Sequence, residues 1–430
     1  MDTRTVLPAQ RAEFSLNARP EVVALRNSKI REVANAGIGV PDVLPFWFGE
    51  PDEVTPEFIC RAGIESIARG ETFYSHNFGI PELRGAISAY MSRLHGHIAE
   101  DRVAVTGSGM SALMHTMQAL VGHGDRVVAV TPVWPNLVEG PRILGAQVTT
   151  VALQFEPEGW KLDLERLIEA LTPDTKALLV NSPNNPTGWT MGRAEQQVLL
   201  EHCRRLGIWI VADDAYERIY FEGDGTTQVA PSFLDIAHPD DRLVNAYTFS
   251  KSWLMTGWRL GWLAAPPPLI EDIGKLIEYN FSCVPVFVQR AGAAAIAGGE
   301  GTIAHTVARY RKARDYLVAE LSRLPGIEAA ATPGAMYAFF KVEGMTDSLS
   351  YCTKLVKEAR LGLAPGVAFG PEGEASCAGA SRRARRILRK GLGGLRSFGG
   401  ELRFVLSLSK DGRPNEYGVH GSTGSPRTGN

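Results

Sequence analysis

The chain has 430 residues, of which 44% are hydrophobic and 21% are charged, enough to bury one large core and a second, smaller one. Its formal net charge is only -2, so no overall basic field favours binding to nucleic acid or to a membrane surface. No apolar run is long enough to cross a bilayer, and the N-terminal residues lack the apolar segment of a signal peptide. We therefore expect a soluble, cytoplasmic protein without a nucleic-acid or membrane partner.

The five cysteines are scattered along the chain without the spacing of a metal site: Cys60, Cys203, Cys283, Cys352 and Cys377. This distribution is typical of free, mostly buried thiols in a reducing compartment. It agrees with a cytoplasmic location, and we predict no metal site.

The N-terminal region, residues 1–45, is rich in Pro, Asn and Gly and contains one predicted helix, Pro20–Ala36. Beyond it, short apolar segments alternate with amphipathic helical ones. The predicted strands are Val103–Thr106, Arg126–Val130, Gln147–Leu153, Ala177–Asn181, Ile208–Asp213, Leu243–Tyr247 and Gly261–Ala264. Continuous apolar strands flanked by helices are typical of an α/β fold whose mostly parallel sheet is covered on both faces.

A second pattern begins after the prolines at 266–268. A long helical segment from Leu269 is broken near Pro285, and Thr302–Leu324 is strongly helical. Further predicted elements are the strands Ile327–Ala331 and Ala335–Val342 and the helix Ser348–Ala359. We predict an N-terminal arm (1–45) that joins the smaller domain, a large domain (46–289), a smaller α+β domain (290–400) and a tail (401–430) too polar to bury a core and therefore disordered.

Four unusual stretches lie near the ends of predicted strands, where loops of a parallel sheet converge. They are Val105–Leu113 (VTGSGMSAL), Asn181–Gly188 (NSPNNPTG), Val211–Tyr216 (VADDAY) and Tyr247–Gly261 (YTFSKSWLMTGWRLG). Their shared position predicts one functional site.

Two charged residues in these stretches suggest a particular chemistry. Lys251 stands among small, aromatic and apolar residues, where an amine loses its charge more easily and can condense with an aldehyde to a Schiff base. A solvated surface lysine is the ordinary alternative. Asp213 ends a buried-looking strand, where an unpaired charge would be costly, so a cationic partner is expected. A helix N-cap is the alternative role, and Asp214 is a competing candidate.

The segment Ser108-Gly109-Met110 follows a strand and opens a helix. Free backbone N–H groups and the helix dipole at such a point favour an anion, and Arg259 can add a charge-assisted contact. Glycines of an ordinary tight turn are the alternative explanation.

Taken together and in this order, the four stretches resemble the class I/II aminotransferases, the aspartate aminotransferase-like branch of fold-type I pyridoxal phosphate enzymes. The resemblance runs from about Gly49 to about Gly373. It implies a seven-stranded sheet, pyridoxal 5'-phosphate as cofactor, and transfer of an amino group between an amino acid and a 2-oxo acid. It also implies a homodimer with shared sites.

The resemblance further implies a role for each matching residue. Lys251 would carry the cofactor as a Schiff base and act as the catalytic base. The cofactor phosphate would contact Ser108, Gly109, Met110, Ser250 and Arg259, together with Tyr74 from a neighbouring subunit. The ring would contact Trp134, Asn185, Asp213 and Tyr216, and the substrate would contact Gly49, Trp134 and Asn185. A core tryptophan and plain turn chemistry are the alternatives for Trp134 and Asn185.

The chain departs from the family pattern at Ala378, where the family has an arginine that binds the substrate carboxylate. Read one base out of register, the segment Ser376–Arg382 can encode Phe-Leu-Arg-Trp-Cys-Phe-Ala, which fits the family pattern. We therefore hypothesise a frameshift near Ala375, with helical sequence resuming near Ile387. The basic run at residues 381–386 offers a substitute arginine, although such runs are more often solvated. A lyase or decarboxylase of the same fold, or a catalytically impaired cofactor-binding relative, remains an alternative.

Overall fold

The computed structural model describes residues 17–222, 229–380 and 385–398. The strands are β1 Leu44–Pro45, β2 Val103–Thr106, β3 Arg126–Thr131, β4 Gln147–Ala152, β5 Gln154–Glu156, β6 Gly159–Lys161, β7 Thr175–Asn181, β8 Trp209–Asp213, β9 Leu243–Thr248, β10 Gly261–Ala264, β11 Ile327–Glu328, β12 Tyr337–Val342, β13 Leu361–Gly362, β14 Ala364–Pro365 and β15 Ser376–Ala380. The helices are α1 Pro20–Val23, α2 Lys29–Ala36, α3 Glu57–Ala68, α4 Pro81–His95, α5 Gly109–Leu120, α6 Pro135–Ile143, α7 Leu164–Ala170, α8 Arg193–Leu206, α9 Pro267–Phe281, α10 Val286–Gly298, α11 Glu300–Leu321, α12 Ser348–Ala359 and α13 Arg385–Phe398.

A seven-stranded sheet with the order β2-β10-β9-β8-β7-β3-β4 organises the larger part of the molecule. Strand β10 runs antiparallel to both of its neighbours, and the other neighbouring strands pair in parallel. All seven predicted strands are present, within two residues of their predicted limits. The predicted α/β fold with a mostly parallel sheet is confirmed.

Both faces of this sheet are buried, as the continuous apolar strands predicted. In β3, Val128 and Val130 face one core while Val127 and Ala129 face the other, because successive side chains of a strand point to opposite sides. Helices α4 and α10 contribute to the first core, and α5 and α9 to the second. The sheet is therefore a rigid middle layer whose edge can hold a site.

Local signals set the limits of several helices. Helix α5 begins where Ser108 Oγ accepts a hydrogen bond from Ser111 N at 3.0 Å, and α12 begins where the Asp347 carboxylate accepts one from Ser350 N at 2.9 Å. Such N-caps satisfy N–H groups that have no partner within the helix. Helix α8 ends at Gly207, whose φ of +70° is a left-handed conformation that glycine adopts without steric cost.

A smaller, four-stranded antiparallel sheet, β11-β12-β15-β14, forms the second unit with α11, α12 and α13. The N-terminal segment packs on this unit, because β1 pairs with β13 and the buried Val33 of α2 joins its core. The second, smaller sheet domain is confirmed, whereas the exact limits at 45, 289 and 400 stay predictions. Residue 290 itself lies within α10.

Three predicted elements differ from the structure. The single helix Pro20–Ala36 is wrong: α1 ends at Val23, and Ser28 caps a separate helix α2 by accepting a hydrogen bond from Arg31 N. The strand from Ile327 is only two residues long. The strand expected from Ala335 begins at Tyr337, because Ala335 has a left-handed φ of 61° that is incompatible with a strand.

Other predictions concern residues near the C-terminus. The helix expected to resume near Ile387 is present as α13, and its Leu392 and Leu395 are buried against the small sheet. Residues 381–384 of the basic run and the predicted tail at 401–430 lie outside the described residues. None of the helices in the described ranges has both the length and the apolar character needed to cross a bilayer.

Candidate active site

A cavity of about 430 Å³ opens at the carboxyl edge of the large sheet. Three lining residues, Asn181, Asp213 and Thr248, are the last residues of β7, β8 and β9. The other lining residues come from helix α5, from loops, from the N-terminal segment and from the small sheet: Arg31, Phe48, Gly49, Glu50, Gly109, Met110, Leu113, Trp134, Asn185, Ala215, Tyr216, Ser250, Lys251, Thr256, Arg259 and Tyr337. The four sequence stretches therefore meet in one place.

Lys251 lies in the cavity and is half-buried. Its Nζ donates a hydrogen bond to Gly49 O at 2.7 Å and lies 5.7 Å from the centre of the Tyr216 ring. The alternative of a solvated surface lysine is therefore excluded. The amine is placed where it can reach a guest in the cavity.

Asp213 and Asp214 are both buried, but their carboxyl groups have different neighbours. Asp213 lines the cavity, and its Oδ1 accepts a hydrogen bond from Ala215 N at 3.3 Å. Burial raises the pKa of Asp213 to about 6, although the Ala215 N–H and the charge of Lys251 favour its ionised form. Asp214 instead accepts hydrogen bonds from Asn245 and Ser232. Asp213 is thus the carboxyl group available to a bound molecule.

An anion-binding corner lies where α5 begins. Gly109 and Met110 open this helix toward the cavity, and Ser250 and Arg259 face the same space. Close backbone packing requires a glycine at 261, because an added Cβ would lie 2.5 Å from Gly109 N. Since N–H groups at a helix start and a guanidinium both attract negative charge, this corner fits a phosphate.

Arg259 and Ser108 differ in how they contribute to this corner. Arg259 lines the cavity with a left-handed φ of 54°, and its Nη1 donates a hydrogen bond to Thr256 O at 2.7 Å. Non-glycine residues rarely adopt this conformation unless their surroundings enforce it. Ser108 is buried and caps α5, and it does not line the cavity. Its role is to fix the start of the helix.

The predicted ring-binding residues Trp134, Asn185 and Tyr216 are also brought together. Asn185 Nδ2 donates a hydrogen bond to the Tyr216 hydroxyl at 3.5 Å. Among the described residues, Asn185 Oδ1 is buried without a hydrogen-bond partner. A buried acceptor without a donor is costly, so this atom favours a ligand that can share a hydrogen bond with it.

Sequence reasoning missed two lining residues that are distant from every motif. Tyr337 comes from strand β12 of the small sheet, and its hydroxyl lies 2.6 Å from that of Tyr216. Arg31 comes from α2, in the N-terminal segment. Neither residue has a local signal, since only the tertiary arrangement brings them to the cavity. Tyr74, in contrast, is 90% exposed and does not line the cavity of its own chain.

Ala378, where the family pattern has arginine, is buried in β15 and does not line the cavity. It pairs with Phe339 of β12, and two residues further on Ala380 pairs with Tyr337. Because residues two apart on a strand share a face, position 378 points to the same side of the small sheet as Tyr337. A longer side chain at this position would extend from the cavity side of the sheet.

The comparisons with known proteins agree with this geometry. The sequence profile of the family described as aminotransferase class I and II matches residues 41–382. An aspartate aminotransferase of Musicola paradisiaca is 33% identical over 75% of this chain and 81% of its own length. A probable aspartate/prephenate aminotransferase of Aquifex aeolicus is 33% identical over 83% of this chain and 90% of its own. A Thermus thermophilus aspartate aminotransferase solved with maleate superposes with a TM-score of 0.80 and is 28% identical, covering 89% of this chain and 99% of its own.

The fold and the cavity define a pyridoxal phosphate enzyme of fold type I. This chain belongs to the class I and II aminotransferase family. It is an aminotransferase with pyridoxal phosphate as cofactor, and its substrates are amino acids and 2-oxo acids. Nothing in the comparisons favours a lyase or a decarboxylase.

Proposed function

We propose that Lys251 is the catalytic residue, that Asp213 holds the protonated pyridine nitrogen, and that Arg259 binds the cofactor phosphate. The observation that supports these roles is the meeting of an amine, a buried carboxyl group and a guanidinium in one cavity. Pyridoxal phosphate, when bound, supplies an aldehyde conjugated to an electron-accepting ring. The groups present on the chain fit each part of that molecule.

The remaining residues have supporting roles in this proposal. Gly109, Met110 and Ser250 would bind the phosphate beside Arg259, while the Ser108 side chain keeps the start of α5 in place. Trp134 would cover the ring face, and Asn185 and Tyr216 would hold its phenolic oxygen. Gly49, Trp134 and Asn185 would also contact the substrate. All of them except Ser108 line the cavity.

Lys251 is suited to moving a proton between the substrate and the cofactor. Its Nζ is held beside Gly49 O and over the Tyr216 ring, so the amine has a fixed position near the bound substrate. A positioned amine in its neutral form can take the Cα proton and return it to a neighbouring carbon. The residue thus acts first as a base and then as an acid.

Aspartate is the proposed amino-group donor. The supporting observation is that relatives at 30–33% identity over most of the chain carry the name aspartate aminotransferase. The 2-oxo acid that accepts the amino group would be a second dicarboxylate of similar size. A cavity of about 430 Å³ accommodates the cofactor together with such a substrate.

The decisive experiment compares the wild type with Lys251→Ala after loading with pyridoxal phosphate. Borohydride reduction should fix the cofactor to the wild type, with the added mass located on Lys251, and aspartate should convert the bound cofactor to its amine form. Lys251→Ala should do neither, whereas the matched surface variant Lys275→Ala should behave like the wild type. Turnover by Lys251→Ala would refute the assigned role, and release of the amino nitrogen as ammonia, instead of its retention in the amine form of the cofactor, would indicate a lyase.

A homodimer is the proposed assembly. Phe73, Tyr74 and Tyr279 are 84%, 90% and 89% exposed, and large exposed aromatic side chains are typical of interaction surfaces. The segment that carries Phe73 and Tyr74 runs beside α9, which carries Tyr279, because Asn77 Nδ2 donates to Gly274 O. In a homodimer, Tyr74 would reach the phosphate in the neighbouring site. Sedimentation of the wild type as a monomer at micromolar concentration would refute this proposal.

A cytoplasmic location is also proposed. All five cysteines are free thiols, including Cys352 and Cys377, whose sulfur atoms lie 3.6 Å apart without a disulfide bond. Free thiols are typical of reducing compartments.

A further inference from the structure

The cavity contains a cation to which neither the sequence pattern nor the proposed cofactor contacts give a role. Among the described residues that line it, the cationic side chains are Arg31, Lys251 and Arg259. Lys251 and Arg259 are the two that the proposed function assigns to the cofactor. Ala378 supplies no charge and does not line the cavity. Arg31 is therefore the one of these three cations to which the proposed function gives no role.

The structure holds Arg31 in place from two sides. Arg31 lies in the first turn of α2, whose N-cap is Ser28, and the buried Val33 fixes this helix to the core of the small unit. Its guanidinium carbon lies 5.7 Å from the centre of the Phe48 ring. Stacking of a guanidinium on an aromatic ring limits its freedom while leaving its N–H groups available.

The neighbours of Arg31 belong to the same short segment that accepts the hydrogen bond from Lys251. Phe48 directly precedes Gly49, whose carbonyl oxygen accepts the hydrogen bond from Lys251 Nζ. Lys251 Nζ and the Arg31 guanidinium therefore lie beside the same short segment, residues 48–50. This segment lines the cavity. The proposed phosphate corner is formed by other residues, at the start of α5 and around Arg259.

The charge of Arg31 is available for a ligand. In the described part of the chain, its guanidinium has no ion pair, although it lies beside a cavity lined by Glu50 and Asp213. A guanidinium can donate two parallel hydrogen bonds to a carboxylate, which gives both affinity and a fixed orientation. The substrates of an aminotransferase carry at least one carboxylate each.

We propose that Arg31 binds a carboxylate of the substrate in this chain, which has alanine instead of arginine at position 378. This inference rests on the proposed function, because it takes Lys251 and Arg259 to be engaged with the cofactor. The carboxylate is either the one attached to Cα or the one at the end of a dicarboxylic side chain. Both carboxylates would make the same kind of contact with Arg31. They are distinguished by which test ligands bind more weakly when Arg31 is replaced.

The test measures binding of unreactive carboxylates to the cofactor-loaded protein by isothermal titration calorimetry. The ligands are maleate, a dicarboxylate, and propionate, a monocarboxylate, and the variants are Arg31→Gln and Arg31→Lys. Glutamine keeps the helix propensity of this exposed position, and lysine keeps the charge without the paired N–H geometry. The matched control is Arg26→Gln, an exposed arginine outside the cavity.

Arg31→Gln should weaken maleate binding by about tenfold to a hundredfold, since a charge-assisted contact is lost. Arg31→Lys should recover part of that loss, and Arg26→Gln should bind like the wild type. Equal weakening for propionate would assign the Cα carboxylate, and weakening for maleate alone would assign the side-chain carboxylate. Unchanged binding of both ligands to Arg31→Gln would overturn the proposal.

Steady-state kinetics supply a second readout. In Arg31→Gln the KM for aspartate should rise by a similar factor, while the absorbance of the bound cofactor stays that of the wild type. A fall in kcat with unchanged KM would contradict substrate binding by Arg31. If the wild type failed to transaminate any amino acid, the proposed function would fail, but the calorimetric comparison would still decide whether Arg31 binds carboxylates.

Discussion

The hydroxyl of Tyr337 lies 2.6 Å from the hydroxyl of Tyr216, although 121 positions separate the two residues. Tyr216 follows the large sheet, and Tyr337 begins strand β12 of the small sheet. Their rings meet edge to face with centres 5.7 Å apart. This pair therefore connects the two structural units at the wall of the cavity.

The first prediction is a measurable energetic coupling between these two tyrosines. Single substitution of either by phenylalanine should lower the free energy of unfolding, because the buried hydroxyl left behind loses a partner. In a double-mutant cycle the coupling should be about 1 kcal/mol, the usual value of a buried hydrogen bond. Urea unfolding of the two single variants and the double variant provides the measurement.

A suitable control for this cycle pairs Tyr216→Phe with Tyr279→Phe. Tyr279 is 89% exposed, so this second cycle should give no coupling. Additive effects of Tyr216→Phe and Tyr337→Phe would contradict the hydrogen bond as a connection between the two units.

The second prediction concerns the pH dependence of cofactor binding. Burial raises the pKa of Asp213 to about 6, so the carboxyl group becomes protonated as the pH falls below that value. A neutral Asp213 cannot pair with a protonated pyridine nitrogen, and the affinity for pyridoxal phosphate should therefore fall below about pH 6. Absorbance titrations with pyridoxal phosphate between pH 5 and pH 8 measure this affinity. The lowest and the highest pH both lie about one unit or more from the pKa of Asp213, so the carboxyl group is mostly protonated at one and mostly ionised at the other.

The variant Asp213→Asn should remove this dependence. It should also lose roughly a hundredfold in affinity at pH 8, as expected when a buried charge-assisted contact of about 3 kcal/mol is removed. Asp214→Asn is the comparison, since Asp214 is equally buried but does not line the cavity. If Asp214→Asn caused the larger loss of affinity for pyridoxal phosphate, the assignment of the pyridine contact to Asp213 would be wrong.

The sequence predicted what depends on local pattern. The predicted limits of strands Val103–Thr106 and Gly261–Ala264 agree with the structure at both ends. Such strands are recognisable because a strand that is covered by helices on both faces is apolar along its whole length. The cluster of Lys251, Asp213 and Arg259 was also predictable, because all three lie at or near the ends of strands of the large sheet. Asp213 is the last residue of β8, Lys251 follows β9 and Arg259 precedes β10, and loops converge at such strand ends.

The residues that were missed depend on tertiary contacts. Tyr337 reaches the cavity only because the small sheet packs against the large one, and Arg31 only because Val33 anchors α2 to the small unit. The break of the N-terminal helix at residues 24–28 was also missed. The cap at Ser28 is a short-range signal, but it lies inside a segment whose composition otherwise favours a helix.

The third prediction follows from a buried histidine outside the cavity. His95 Nδ1 lies 2.7 Å from Asp235 Oδ1, and its Nε2 lies 3.1 Å from Glu217 Oε2. Burial favours the neutral ring, but the hydrogen bonds to these two carboxylates outweigh it and raise the pKa of His95 to about 10. The protonated imidazole ring of His95 therefore bridges the carboxylates of Asp235 and Glu217.

Since this pKa is higher in the folded than in the unfolded state, the resulting stability is fully present below about pH 6.5 and is lost as the pH rises toward 10. The free energy of unfolding should fall by roughly 1 kcal/mol per pH unit in this window from His95 alone. His95→Gln should be less stable than the wild type at pH 7 and should lack this slope. His123→Gln, at a position whose side chain is 84% exposed, should keep it, and equal slopes in the wild type and His95→Gln would contradict the assignment.

The fourth prediction tests the departure at position 378. The register of β15 places this side chain on the same face of the small sheet as Tyr337, which lines the cavity. Ala378→Arg should therefore bring a guanidinium toward the substrate and tighten maleate binding by about tenfold. Because Ala378 is only 2% exposed beside Phe339, the longer side chain should also lower the melting temperature, which thermal unfolding measures.

The matched control is Ala375→Arg, which adds the same charge three residues earlier at a half-buried position outside the cavity. If Arg31 binds the Cα carboxylate, the gain in affinity should be larger in the Arg31→Gln background, because the two guanidinium groups would then no longer compete for the same carboxylate. If Arg31 binds the side-chain carboxylate, the gain should be the same in both backgrounds. A folded Ala378→Arg variant that binds maleate no better than the wild type would show that this position does not face the substrate. In that case the frameshift hypothesis would lose its structural support, since its main consequence is an arginine at 378.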